Sequence, residues 1–220
     1  MKRDWKKEDG EVYLPGAKPT TFRLAPMRYF LVSGAGSPAD RPFQEAVEMA
    51  YTISYALKMF TKKNPEPDGW YDYAVFPLEA SWSIAAGAAA GDKDSYTYSV
   101  MIRQPEFLDA ALADCVRSLA GKKKPALPWR RLEFGEYDEG ECLQALHIGP
   151  YDDEERTFAV MRAFLAGNGL RRRGEGHKEI YLNDPRRTPP EKLKTALRYW
   201  VEKDGDASAG ATPAMRRLHG

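Results

Sequence analysis

The sequence predicts an α+β fold built as a two-fold internal repeat, with a cleft where the halves meet. Three observations carry this reading. Runs with strand character alternate with amphipathic helical stretches along most of the 220 residues. Each half keeps one order: an apolar strand ending in glycine, an acidic or proline-marked helix start, a helix, then a strand carrying one glutamate. Those glutamates are Glu79 in PLEASW and Glu179 in HKEIYL, and clefts between packed modules are common ligand sites.

The first 20 residues are charged, carry Pro15 and Pro19, and read as an arm or edge extension rather than a core element. Residues 27–32 (MRYFLV) form a buried strand that ends at Gly34-Ala35-Gly36, and Pro38 and Asp40 suit a helix start. From there Phe43, Val47, Ala50, Ile53, Leu57 and Phe60 recur every three or four positions, which predicts a long amphipathic helix. Residues 62–69 are a loop. Residues 73–82 and 95–103 are strands joined by a flexible Ala/Gly-rich hairpin connection. Pro105 opens a connecting helix that stops at Gly121, and GKKKPALP is a linker.

The second half repeats the plan. Residues 132–137 and 142–148 are strands. Asp152, Asp153, Glu154 and Glu155 put negative charge at the next helix start, where the dipole favours it. Phe158, Met161 and Leu165 form that helix's apolar stripe, and Gly167-Asn168-Gly169 ends it. Residues 177–182 are a strand, Pro190 starts a last helix through EKLKTALRYW, and residues 202–220 read as a loosely held tail.

Composition excludes several classes. Lys and Arg number 33 against 32 Asp and Glu, so no basic excess argues for nucleic acid or an anionic membrane as partner. No apolar run reaches the roughly 18 residues of a membrane span, and the start MKRDWKKEDG lacks a signal-peptide core. A cytoplasmic monomer or homodimer acting on a small molecule is expected. Cys115 and Cys142 are expected as buried free thiols in a reducing compartment. His147, His177 and His219 have no ligand-like spacing, so neither metal nor cofactor is expected. There is no GxSxG, and Gly34-Ala35-Gly36 lacks the glycine-rich phosphate fingerprint. Asp184-Pro185-Arg186-Arg187 reads as a turn whose arginines are free to pair with the acidic 152–155 run.

Strand parity sorts the candidate chemistry. His177, Glu179 and Tyr181 share one face of their strand, and Ile180 and Leu182 the other, packed on helices. A carboxylate beside a phenol can hold a cation, orient a water, or act as base and acid. Glu79 lies in an apolar run, where a charge must be paired or wet. A bend near Ala80 is needed to bring Glu79 and Trp82 into one cleft. Tyr51, Tyr55, Tyr98, Met101, Tyr151 and Trp82 are the candidate ligand walls, since tyrosine rings suit a flat organic ligand.

PLEASW, DSYTYSVMIRQPEF, LQALHIGPYDDEERT and HKEIYLNDPRRTPPEKLKTALR resemble the GyrI-like small-molecule-binding superfamily over residues 21–201. The match is to its stand-alone branch, which includes the cyclopropanoid cyclopropyl hydrolases. With 20 residues ahead of the first strand, no helix-turn-helix domain like that of the fused regulators is expected. That branch shows PLEGLWW where this chain has PLEASWS, keeping the glutamate and the first tryptophan. The resemblance implies two tandem β-α-β-β modules with pseudo-two-fold symmetry, module one at 21–104, a connection at 105–128 and module two at 129–201. It also implies an acidic, aromatic-lined central cleft for hydrophobic aromatic or cationic molecules. Glu79, Glu179 and Tyr181 would be the catalytic candidates if strained cyclopropane-bearing genotoxins are hydrolysed there. Non-catalytic sequestration or sensing, or a gyrase-inhibitor-like interaction module, are the alternatives.

Overall fold

The structure, a computed structural model, describes residues 2–64, 67–84, 95–205 and 212–218. In chain order the elements are α1 (Trp5–Glu8), α2 (Gly10–Tyr13), β1 (Thr20–Leu24), β2 (Met27–Ala35), α3 (Arg41–Lys63), β3 (Leu78–Ile84) and β4 (Tyr96–Arg103). Then follow α4 (Ala110–Lys123), β5 (Leu132–Tyr137), β6 (Gly140–Ile148), α5 (Glu155–Gly167), β7 (Leu170–Arg172), β8 (His177–Tyr181), β9 (Lys194–Lys203) and β10 (Met215–Arg217). The strands form one antiparallel sheet in the order β1-β6-β9-β8-β3-β4-β2-β5-β10, with β7 on the far end of β9.

Two β-α-β-β modules are visible in that order. Module one (β2-α3-β3-β4) and module two (β6-α5-β8-β9) are arranged about the β3–β8 pair, which joins equivalent strands of the two halves. The lead-in strands are exchanged. β1 precedes β2 but pairs with β6, whereas β5 precedes β6 but pairs with β2. Each module therefore borrows an edge from the segment leading into the other, and neither half closes its sheet alone.

Local sequence explains the helices. Asp40 stands extended before α3, with a proline in the first turn. Ala50, Ile53 and Leu57 of the expected stripe are buried on the sheet, joined by Ala46 and Met49, while Phe43, Val47 and Phe60 at its edge are half-buried. Asp109 caps α4 by accepting from the Leu112 N–H at 2.8 Å. Register places Phe30 and Val32 of β2 beside Val100 and Ile102 of β4, all in the α3-packed core. Leu143, Ala145, Leu197 and Tyr199 pack under Met161 and Leu165 of α5. Ala80 of β3 and Leu197 of β9 both stand opposite Glu179 of β8, so α3 and α5 cover the same face of the sheet, one helix per module.

Several expectations fail for physical reasons. The N-terminal segment is a core element: Trp5 and Tyr13 are buried, and the Trp5 indole N–H donates to the Val75 carbonyl at 3.1 Å. The last helix is instead a single 3-10 turn, Pro190–Lys192, followed by strand β9. Thr195 through Val201 are all buried. A strand covered on both faces loses its alternation, and its Lys, Leu and Ala content imitates a helix.

The tail is held as well. β10 pairs with β5, with Arg216 bridged to Glu136 and Arg217 to Glu133. Regular strand begins at Leu78 rather than at residue 73, where Tyr73 makes only an isolated bridge to Arg3. Cys115 is exposed, while Cys142 is buried and free. Arg186 pairs with Asp184 two residues away, not with the acidic run at the start of α5. The Ala/Gly-rich connection at 85–94, expected as a flexible hairpin link, lies outside the described residues.

Candidate functional site

The β3–β8 register decides which side chains meet. Trp82 stands opposite His177, Ala80 opposite Glu179 and Leu78 opposite Tyr181, so these six emerge on the helix-covered face. Glu79 stands opposite Ile180, and Ser81 opposite Lys178, on the reverse face. Alternation runs through β3 without the bend anticipated near Ala80.

Glu179 is the centre of the helix-side cluster. One carboxylate oxygen accepts from His177 Nε2 at 2.9 Å and the other from the Tyr181 hydroxyl at 2.7 Å. An ionised carboxylate only accepts, so the imidazole presents Nε2–H. The Trp82 indole N–H donates to the Tyr181 oxygen at 3.3 Å, which completes a Trp82–Tyr181–Glu179–His177 chain. The Glu179 side chain keeps 13% of its surface exposed, so solvent reaches it. Burial, and then the Glu179 charge, push the Tyr181 phenol well above its ordinary range, so it stays a donor.

Aromatic rings build the walls. Phe43 of α3 stacks on Trp82 at 5.1 Å and meets the edge of Tyr98 at 5.0 Å. Phe158 of α5 lies 4.8 Å from the His177 ring, and Tyr151 meets Tyr181 edge-on at 5.8 Å. Tyr51 and Tyr55 stack 6.5 Å apart on α3 and are exposed. Tyr98 is buried with its ring over Gly34, and a methyl group there would collide with the Tyr98 hydroxyl. Tyr98 thus backs the Trp82 wall, and its hydroxyl is directed towards β2, away from Glu179.

A second carboxyl, Glu154, completes the helix-side site. It is the residue before α5, is 6% exposed, and leaves its Oε1 atom without a hydrogen bond. Burial, and then the Glu179 carboxylate, push Glu154 up to about 10, so it is protonated at neutral pH. Its place was readable, since Glu154 continues the Phe158, Met161, Leu165 stripe one turn back towards the sheet.

Glu79 does something else. It is fully buried on the reverse face and pairs with Lys178 Nζ at 2.8 Å. Lys178 also holds Glu139 at 2.7 Å, and Arg198 holds Glu139 at 3.1 Å. Two carboxylates and two cations thus compensate one another, with the Trp200 N–H donating to Glu139 at 3.1 Å and the Tyr13 hydroxyl to Glu79 at 3.3 Å. Burial opposes the Glu139 charge, but Lys178 and Arg198 prevail and hold it down to about 2. Arg198 also donates to the Val12 carbonyl at 2.7 Å, which fastens α2 over this face. Met101 is buried in the same reverse-side cluster with Tyr29 and Tyr137, away from Glu179. The structure therefore brings Glu179, Tyr181, Trp82 and Tyr151 together, puts Tyr98 behind Trp82, leaves Tyr51 and Tyr55 exposed on α3, and sets Glu79 and Met101 on the reverse face.

Among the described residues no group of His, Cys, Asp and Glu has a metal-binding arrangement, and no helix is long and apolar enough to cross a membrane. A separate cavity of about 200 Å³ lies beside α1, lined by charged and aromatic residues including Trp5, Tyr73 and Arg103.

Comparison with known proteins agrees with this architecture. The family profile described as a GyrI-like small molecule binding domain matches residues 18–201. The crystal structure of an uncharacterized conserved protein from Listeria innocua is 36% identical, with a TM-score of 0.86 over 91% of this chain and 100% of that one. A structure described as a hydrolase from Listeria innocua is 35% identical, with a TM-score of 0.83 over 91% of this chain and 100% of that one. The EcmrR C-terminal domain, at 9% identity and a TM-score of 0.52 over 87% of this chain and 99% of that one, shares the fold. No curated protein matches the chain. Spanning nearly all of the strands and helices described above, the profile match establishes that the chain belongs to the GyrI-like small-molecule-binding family.

Proposed function

We propose that the protein takes a flat, hydrophobic small molecule on the helix-covered face and hydrolyses it. The substrate class is strained cyclopropane-bearing electrophiles of the DNA-alkylating kind, and the outcome is their detoxification. The observation that carries this reading is Glu179, a partly solvent-reached carboxylate fixed by two donors and set between aromatic walls. Support also comes from the Listeria innocua structure described as a hydrolase, at 35% identity over its whole length.

In this mechanism a water held by Glu179 adds through its oxygen to a cyclopropane carbon. The strained C–C bond breaks, and its electron pair moves into the conjugated carbonyl, whose oxygen then takes a proton. The water's own proton goes to Glu179, a general-base role worth about 10²–10⁴-fold. His177 and Tyr181 hold the carboxylate in place, and Trp82 with Phe43 offers a face for the planar substrate. Glu79 takes no part, because its charge is committed to Lys178 on the reverse face.

Sequestration of an aromatic cation without turnover is the second reading. It is favoured by the aromatic rings of Tyr151, Tyr181 and Trp82 beside the Glu179 charge. Incubating the wild-type chain with a cyclopropane-bearing alkylator and weighing the product separates the two. A gain of one water supports hydrolysis; intact compound retained by the protein supports sequestration. Neither product nor retention contradicts both.

A further inference from the structure

Glu154 and Glu179 come from different elements, one from the start of α5 and one from β8, and their carboxyls meet within hydrogen-bonding reach. The two differ in how their charge is served. Glu179 accepts from His177 and Tyr181, whereas Glu154 forms no ion pair among the described residues and keeps a buried oxygen without a partner. The Thr195 hydroxyl of β9, directly opposite Tyr181, is buried and faces the Glu154 carboxyl. The cations nearby are spent elsewhere: Arg156 donates to the Ile148 carbonyl, and Arg186 pairs with Asp184. His147 is bound between Thr157 and the Pro150 carbonyl. From its own turn Glu154 meets Asp152 and Tyr151, neither of which brings positive charge.

Two charged carboxylates cannot both be accommodated here. Two unit charges of one sign about 4 Å apart repel by about 4 kcal/mol at an effective dielectric near 20. The start of α5 favours a charge on Glu154 by about 0.3–1 kcal/mol, at most about 2. Repulsion and burial prevail.

We propose that Glu154 is the proton-donating partner of Glu179: the two carboxyls hold one proton between them, Glu154 as the acid and Glu179 as the base. The catalytic half of this assignment rests on the hydrolysis reading above; the shared proton does not. In the reaction, the new C–O bond forms as the strained C–C bond breaks and its pair passes to the carbonyl oxygen. Glu179 takes the proton of the attacking water, and Glu154 gives its proton to that carbonyl oxygen. The proton on Glu179 then crosses to Glu154, which restores the pair, and one water has been added in total. The arrangement also sets substrate class. A site carrying one negative charge and one acid proton suits a neutral molecule with an acceptor carbonyl, or a monocation, and disfavours dications and anions.

Infrared difference spectroscopy on the full chain tests the shared proton without any substrate. At neutral pH the wild type is expected to show a protonated-carboxyl band that vanishes on titration through about 10. Glu154→Gln removes the band, and Glu179→Gln lowers its titration midpoint. No band at neutral pH, or an unchanged band in Glu154→Gln, overturns the proposal. Should Glu154→Gln fail to fold, an unmoved midpoint in Glu179→Gln overturns it equally. Turnover tests the catalytic half: Glu154→Gln should lower kcat about 100-fold or more while retaining binding, and wild-type kcat in that variant contradicts the donor role. If the wild type forms no product at all, the hydrolysis reading fails while the infrared result still decides the pair.

Discussion

Glu79 and Glu179 lie on adjacent strands yet point to opposite faces of one sheet, because Glu79 pairs with Ile180 and Glu179 with Ala80. A two-fold axis normal to a sheet keeps each face on itself, so these two glutamates are not equivalents in the repeat. One is part of a buried ion network; the other, on the helix-covered side, keeps 13% of its side-chain surface exposed.

The reverse-face network predicts unequal costs for its members. Glu139→Ala leaves buried Arg198 with no carboxylate and Lys178 with Glu79 alone, and should destabilise by about 3–5 kcal/mol. Glu79→Gln leaves Lys178 paired with Glu139 and should cost less, about 1–3 kcal/mol. Urea unfolding measures both, and equal losses would contradict the hierarchy.

Stability should also respond to pH with two opposite signs. Glu139 is held below its ordinary 4.5, down to about 2, so its contribution is complete above 4.5 and is lost as pH falls towards 2. Glu154 is raised from 4.5 to about 10, so the folded state keeps a proton that the unfolded chain releases. Its contribution is complete below 4.5 and drains away as pH rises through neutrality towards 10. Glu154→Gln should therefore unfold with a flatter pH dependence on the alkaline side than the wild type. An identical alkaline slope would count against the assignment.

Gly34→Ala forces a methyl group against the Tyr98 hydroxyl and the Arg131 guanidinium. Overpacking of this kind costs about 1–3 kcal/mol, and displacing Tyr98 should disturb Trp82, whose ring centre is 5.8 Å away. Adding Tyr98→Phe should recover part of the loss. The near-ultraviolet circular dichroism of the tryptophans, with thermal unfolding, reports both effects.

Tyr13→Ala should destabilise by about 3–5 kcal/mol as a buried aromatic, and Tyr13→Phe by about 1 kcal/mol for the lost hydrogen bond to Glu79. Urea unfolding of both variants would show whether the N-terminal helices belong to the folding unit. A loss near zero for Tyr13→Ala would return that segment to the status of an arm.

Much of this was legible in the sequence. The α3 stripe from Phe43 to Phe60 and the parity of His177, Glu179 and Tyr181 locate the long helix and the acidic strand face correctly. The failures at β9 and at Glu79 share one cause: burial of polar residues. Lys178, Arg198 and Glu139 are fully or almost fully enclosed, and a sequence shows them only as charges that read as solvated. Arg198 in β9 made a strand look like an amphipathic helix, and Glu79 looked unpaired because its partner lies 99 residues away. Long-range register, not local pattern, decides which of those charges meet.

The most direct test is product formation by wild type, Glu79→Gln and Glu179→Gln, each confirmed folded by circular dichroism and given the same cyclopropane-bearing alkylator. The predicted result is a water adduct from wild type and from Glu79→Gln, with the rate in Glu179→Gln reduced about 100-fold or more. A water adduct formed by Glu179→Gln at the wild-type rate, or lost only in Glu79→Gln, would contradict the placement of the reactive carboxylate on the helix-covered face.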